Sequence, residues 1–166
     1  DFFVGTGQGF VTDATLPLSG PMSVLGRSIV IHKADGSRWA CASLSPRSQR
    51  AEFNVFDGPA GYIEIFSPDV SSPSTISVNL ANLGSGEKGW HVHELPAPIG
   101  GYATGSACMA TAAHFNPSFG AGAAEDGDLS ARHEKLSGTT TRAYFADELV
   151  KLHGNKSVMG RSLVIH

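Results

Sequence analysis

Two histidines one residue apart, His91 and His93, are the sharpest chemical signal in the chain. On a β-strand, residues i and i+2 point to one face, so Trp90-His91-Val92-His93 would bring two imidazoles together. Such a pair is half of a metal site; alone, it suits a polar solvent face equally well. His114 lies in an irregular stretch, 95–129, where a backbone bend can carry it to the pair. Loops of that length inside a compact domain are usually functional. His32 and His166 each end an apolar, β-branched run, Ser28-Ile29-Val30-Ile31-His32 and Ser162-Leu163-Val164-Ile165-His166. Three or four convergent imidazoles with no thiolate suit copper or zinc. His133 and His153 carry no partner pattern and read as surface residues. Glu125-Asp126-Gly127-Asp128 reads by itself as a solvated acidic turn. Arg38, in Gly36-Ser37-Arg38-Trp39-Ala40-Cys41, can attract an anion or serve as an ordinary surface arginine.

The elements that must position these residues are strands. Gly61-Tyr62-Ile63-Glu64-Ile65-Phe66 and Thr75-Ile76-Ser77-Val78-Asn79-Leu80 alternate with period two, as half-buried strands do. Turn clusters such as Phe56-Asp57-Gly58-Pro59 and Gly84-Ser85-Gly86 separate the runs. The 20 glycines and 9 prolines exclude long helices and point to an antiparallel all-β sandwich or barrel. The one helical patch is 143–151, and its end reads better as strand. A net charge of −3 and a charged fraction of 16% disfavour nucleic acid as a partner. A hydrophobic fraction of 41% supports a packed core, and no run approaches the roughly 18 apolar residues of a membrane span. Asp1 reads as the start of a mature segment or a fragment, with no signal peptide.

The chain repeats itself. LPLSGPMSVLGRSIVIH at 16–32 and VKLHGNKSVMGRSLVIH at 150–166 are identical at ten of seventeen positions, 134 residues apart. That offset is domain-sized and implies a tandem array. Residues 1–45 then form the C-terminal strands of a preceding unit, 46–49 are a linker, and 50–166 are a unit lacking its final strand.

Together, Trp90-His91-Val92-His93-Glu94, Ala112-Ala113-His114-Phe115-Asn116-Pro117, Gly127-Asp128-Leu129, the two Gly-Arg-Ser-x-Val-Ile-His strands and Gly36-Ser37-Arg38-Trp39-Ala40-Cys41 resemble copper/zinc superoxide dismutase. The resemblance implies an eight-stranded Greek-key barrel, circularly permuted or strand-exchanged. It implies His91, His93, His114 and either His32 or His166 as copper ligands. Arg38 then draws in superoxide, His114 handles a proton, and Cys41 and Cys108 match the family's disulfide pair. The family's zinc loop carries two further histidines, and the matching stretch here, 118–126, has none. Only Lys33-Ala34-Asp35 stands where a long electrostatic loop would lie. Both departures resemble the copper-only superoxide dismutases, which are extracellular and include tandem-repeat proteins. The expectation is one copper per complete domain, no zinc, and Glu125, buttressed by Asp128, as the partner that orients His114. Expected partners are superoxide and neighbouring repeats or identical copies, with no nucleic acid and no membrane. The alternative is a copper-binding, copper-storing or self-assembling extracellular protein without turnover. A sequon, Asn155-Lys156-Ser157, is compatible with secretion.

Overall fold

The computed structural model describes residues 13–18, 22–25, 27–44, 47–55, 57–69, 71–98, 105–138 and 140–166. The chain divides into two compact units, Asp1–Ser45 and Pro46–His166. In the first unit, β1 (Ser28–His32) and β2 (Arg38–Ser43) form an antiparallel hairpin. Nearly every residue of both strands is exposed.

The second unit carries β3 (Ser48–Asn54), β4 (Ala60–Phe66), β5 (Ser74–Ala81), β6 (Trp90–His93), β7 (Thr140–Asp147) and β8 (Ser162–Ile165). One sheet runs β3-β4-β5-β7 and the other β6-β8, all antiparallel. The chain therefore leaves the first sheet after β5, makes β6, and returns as β7, a Greek-key crossing. The stretch first read as linker ends early, because β3 opens at Ser48; residues 45 and 46 lie outside the described residues.

Alternation builds the core. Ile63 and Ile65 of β4, and Ile76, Val78 and Leu80 of β5, turn inward, while Ser77 and Asn79 between them stay partly exposed. They meet Trp90 and Val92 of β6, with Phe115, Leu129 and Val150 filling between the sheets. A Cβ at Gly61 would sit 2.2 Å from the Asn79 carbonyl oxygen, so only glycine fits that register. The helical patch proves to be β7 as far as Asp147, because pairing with β5 from Ser74↔Asp147 to Ala81↔Thr140 outweighs local helix propensity.

Two histidines read as surface residues are anchored instead. His133 donates from Nε2 to Asp147 Oδ2 at 2.6 Å and stacks on Phe145. His153 donates from Nε2 to the Ser67 carbonyl at 3.0 Å. Asp126 is not a solvated turn acid either. It is 1% exposed and accepts from the Ser118 amide and hydroxyl, each at 2.9 Å.

Candidate metal centre

The four-residue strand β6 is clasped on its far side by two loop segments. Phe115 N donates to Val92 O at 2.8 Å, and Val92 N donates to Gly127 O at 2.9 Å. These bonds set His93 across from His114 and His91 across from Asp128. On the near side β8 pairs with β6, Trp90↔Ile165 through His93↔Ser162, and His166 N donates to Gly89 O. Gly127 permits the clasp, since a Cβ there would fall 2.5 Å from Val92 O and 2.8 Å from Phe115 O. Arg161 fastens the start of β8, lying 3.7 Å over the Phe115 ring and donating to Glu94 O.

Ring nitrogens of His91, His93, His114 and His166 consequently lie within 4.8 Å of one another. For three of the rings the tautomer follows from what the outer nitrogen touches. His93 Nδ1 is 2.9 Å from Ala112 O and 3.1 Å from Thr111 Oγ1, whose own hydrogen goes to Cys108 O. Carbonyls only accept, so His93 Nδ1 carries the proton and Nε2 turns a lone pair inward. His114 Nδ1 donates to Glu125 Oε1 at 2.9 Å, freeing its Nε2 in the same way. His91 is reversed: Nε2 faces Asp128 Oδ1 at 3.3 Å, and Nδ1 is buried with no partner among the described residues. An unsatisfied buried nitrogen is costly unless something electropositive binds it. His93 Nε2 and His166 Nε2 face each other at 3.4 Å.

Burial, with His114 as the next cause, pushes His91 down to about 4 despite the opposing pull of Asp128. Burial lowers His93 as well, against its bond to Ala112 O. Both rings are therefore neutral at neutral pH, the state in which an imidazole can donate to a metal. Four imidazoles and no thiolate form a donor set for copper or zinc. A metal among them would be held by Nδ1 of His91 and by the inward nitrogens of His93, His114 and His166, so the residues present fit such an ion.

The carboxylates are committed too. Asp128 caps α2 (Leu129–His133) by accepting from Ala131 N. Arg132, on α2, donates to the Glu125 and Asp126 carbonyls and ion-pairs with Asp147 at 2.8 Å. It thereby ties the segment bearing Glu125 to β7. Sequence reasoning missed Thr111, Arg132 and Asp147. Thr111 is two residues ahead of Ala113-His114 and gave no signal of its own, and the Arg132–Asp147 pair joins residues fifteen apart.

His32 is exposed at the end of β1, donating from Nδ1 to Gly36 O at 2.8 Å, and Arg38 and Cys41 are exposed on β2. Cys108 closes the one-turn helix α1 (Gly105–Cys108). The expected Cys41–Cys108 disulfide would join two units of the structure, with Cys41 in the first and Cys108 in the second. Residues 99–104 of the long loop lie outside the described residues.

The family model for copper/zinc superoxide dismutase matches residues 60–166. The Saccharomyces cerevisiae protein superoxide dismutase [Cu-Zn] is 35% identical over 116 residues, 66% of this chain and 71% of that protein. Superoxide dismutase [Cu-Zn] 5 of Dictyostelium discoideum is 33% identical, covering 66% of this chain and 72% of its own. Among solved structures, Candida albicans superoxide dismutase 5 in its Cu(II) form superposes with a TM-score of 0.64 at 32% identity. The match spans 74% of this chain and 83% of that one.

Proposed function

Because the chain belongs to the copper/zinc superoxide dismutase family, we propose that it converts two superoxide anions and two protons to oxygen and hydrogen peroxide, using copper alone. The observation that carries this reading is the inward-facing set His91 Nδ1, His93 Nε2, His114 and His166, with no other partner for His91 Nδ1 among the described residues. Copper, when bound, supplies the one-electron exchange that oxidises one superoxide and reduces the next.

The chain's own residues do the rest. Thr111 and Ala112 fix the His93 tautomer, and Asp128 orients His91. His114 is the ring that handles a proton, and Glu125 holds it in place through Nδ1. That same bond supports the absence of zinc: the one His114 nitrogen that points away from the cluster is already given to Glu125, and 118–126 adds no histidine. Arg38 is the anion-guiding residue of this reading. The sequence repeat supports membership of a tandem array, in which 1–45 derive from a preceding unit. The exposed Asn155 sequon supports an extracellular setting.

The test is superoxide decay on copper-loaded protein beside elemental analysis after exposure to both metals. One copper, no stoichiometric zinc and catalytic decay are expected. One zinc per copper would overturn the copper-only reading, and stoichiometric copper without decay would favour storage.

A further inference from the structure

In the second unit the two sheets end on unpaired strands. Among the described residues β3 pairs only with β4, and β8 only with β6. Between them runs an open groove of about 440 Å³. Ala51 and Phe53 of β3, Ile63 of β4, Val92 of β6, and Val164 and Ile165 of β8 line it. Unpaired edges beside an apolar trough invite strand addition.

The chain itself shows which strand fits. β1 is the repeat of β8: Gly-Arg-Ser-Ile-Val-Ile-His at 26–32 matches Gly-Arg-Ser-Leu-Val-Ile-His at 160–166. The partner β1 takes is β2, antiparallel, in the register Ser28↔Ser43, Ile29↔Ala42, Val30↔Cys41, Ile31↔Ala40 and His32↔Arg38. The pairing already established in the first unit thus continues onto a second edge with almost the same side chains. The hairpin has little to lose by giving up β2. Among the described residues it has two strands, Ile29 and Ile31 are 53% and 52% exposed, and Trp39 is 70% exposed. A two-stranded hairpin without a covering layer is marginal in water.

We propose that β2 of a second copy of this chain inserts beside β8, in reciprocal exchange, so that two copies close each other's grooves. The register, moved by the 134-residue repeat, places Ser43, Ala42, Cys41, Ala40 and Arg38 of one copy opposite Ser162, Leu163, Val164, Ile165 and His166 of the other. Trp39, 70% exposed on β2, is the largest apolar side chain that such an exchange brings toward cover. Exchange of like elements between like chains is a low-cost route to a dimer. It also sets a guanidinium beside the fourth histidine of the cluster. That consequence rests on the proposed function, whereas the strand pairing does not.

The test reads geometry rather than activity. In a Cys108→Ser background, Val164→Cys places a thiol opposite Cys41, while Leu163→Cys places one on the neighbouring, opposite-facing position. Directly opposed residues of an antiparallel pair have Cα atoms about 4.5–5.5 Å apart, inside the roughly 4.4–6.8 Å that a disulfide spans. Mild oxidation is expected to give a disulfide-linked dimer with V164C, mapped by mass spectrometry to Cys41 and the V164C thiol. Its yield should be about tenfold above that of L163C, since bridging demands the right Cβ geometry. An intrachain bond to Cys41, or equal yields from the two variants, overturns the exchange between copies. Sedimentation equilibrium on the unsubstituted 166-residue chain guards against a misfolded variant: a dimer is expected, and a monomer at all concentrations overturns the proposal. None of these readouts depends on copper or on turnover, so failure here and failure of the dismutase reading are told apart.

Discussion

Asp147→Asn tests how the second unit holds its loop to its sheet. Asp147 is 1% exposed, yet its two oxygens serve four donors: Arg132 Nε at 2.8 Å, His133 Nε2 at 2.6 Å, and the Leu149 and Val150 amides at 2.8 and 2.7 Å. The amide keeps shape and one acceptor oxygen, but turns an NH2 toward Arg132 and His133. Arg132, with a side chain 12% exposed, is left as a buried cation without its counter-charge. Breaking a buried pair on one side costs about 3–5 kcal/mol. At roughly 3–5 °C per kcal/mol for a unit of this size, thermal unfolding of the metal-free protein at pH 7 should fall by about 10–20 °C. Burial by itself would raise the Asp147 pKa, but the Val150 amide, Arg132 and His133 outweigh it and hold the carboxyl below its usual 3.8. A carboxylate lowered on folding contributes stability above the unfolded value and loses it as pH falls through the folded one. Parent and variant should therefore converge below pH 3.8. Calorimetry and urea titration across pH, with exposed Glu148→Gln as control, supply the check. A fall of under about 2 °C at pH 7, or a gap that persists in acid, would refute the buried-pair argument.

Other substitutions separate ligand from support. Glu125→Ala should keep copper stoichiometry while losing at least about tenfold in activity, because the His114 ring loses its acceptor but not its ligand nitrogen; unchanged turnover at equal copper occupancy rejects that role. Thr111→Val removes one of two acceptors at His93 Nδ1 and the donor to Cys108 O. It should weaken copper binding about 10–100-fold in a chelator competition, with Thr111→Ser restoring it; equal affinity in all three proteins would show Ala112 O to be sufficient. The metal-free protein should lose stability as pH drops from about 6.5, the unfolded histidine value, toward about 4, where buried His91 finally takes a proton. Urea midpoints flat across that window would contradict it, and His91→Gln should shrink the slope.

Period-two patterning made β4 and β5 legible, because each pairs on both sides and buries one face. The same period places His91 and His93 on one strand from the sequence alone. What could not be read is whatever depends on residues meeting across the chain. Residues 143–151 contain Ala, Glu, Leu and Lys, a fair helical composition, and only the full ladder with β5 makes them strand as far as Asp147. Asp126 and Asp147 look like surface acids until the donors that surround them are known. The choice between His32 and His166 was open because their strands are nearly the same in sequence, and only pairing with β6 brings one of them to the other three rings. The disulfide expectation relied on a resemblance in which both cysteines share one barrel. Here β2 and α1 fall in separate units.

The clasp around β6 has an evolutionary corollary. His91, His93, His114 and Asp128 are spaced by the thickness of adjoining backbones, through Val92 N, Gly127 O, Phe115 N and Val92 O, more than by the volumes of side chains behind them. Drift at Ile63, Ile76 or Leu80 can change how firmly the unit holds together while leaving the four rings at the same separations. A single methyl at position 127 acts on the clasp directly: it meets Val92 O and Phe115 O and wedges both loops away from β6. Robustness and ligand spacing are in this way inherited through different positions, so one can vary across descendants while the other stays fixed.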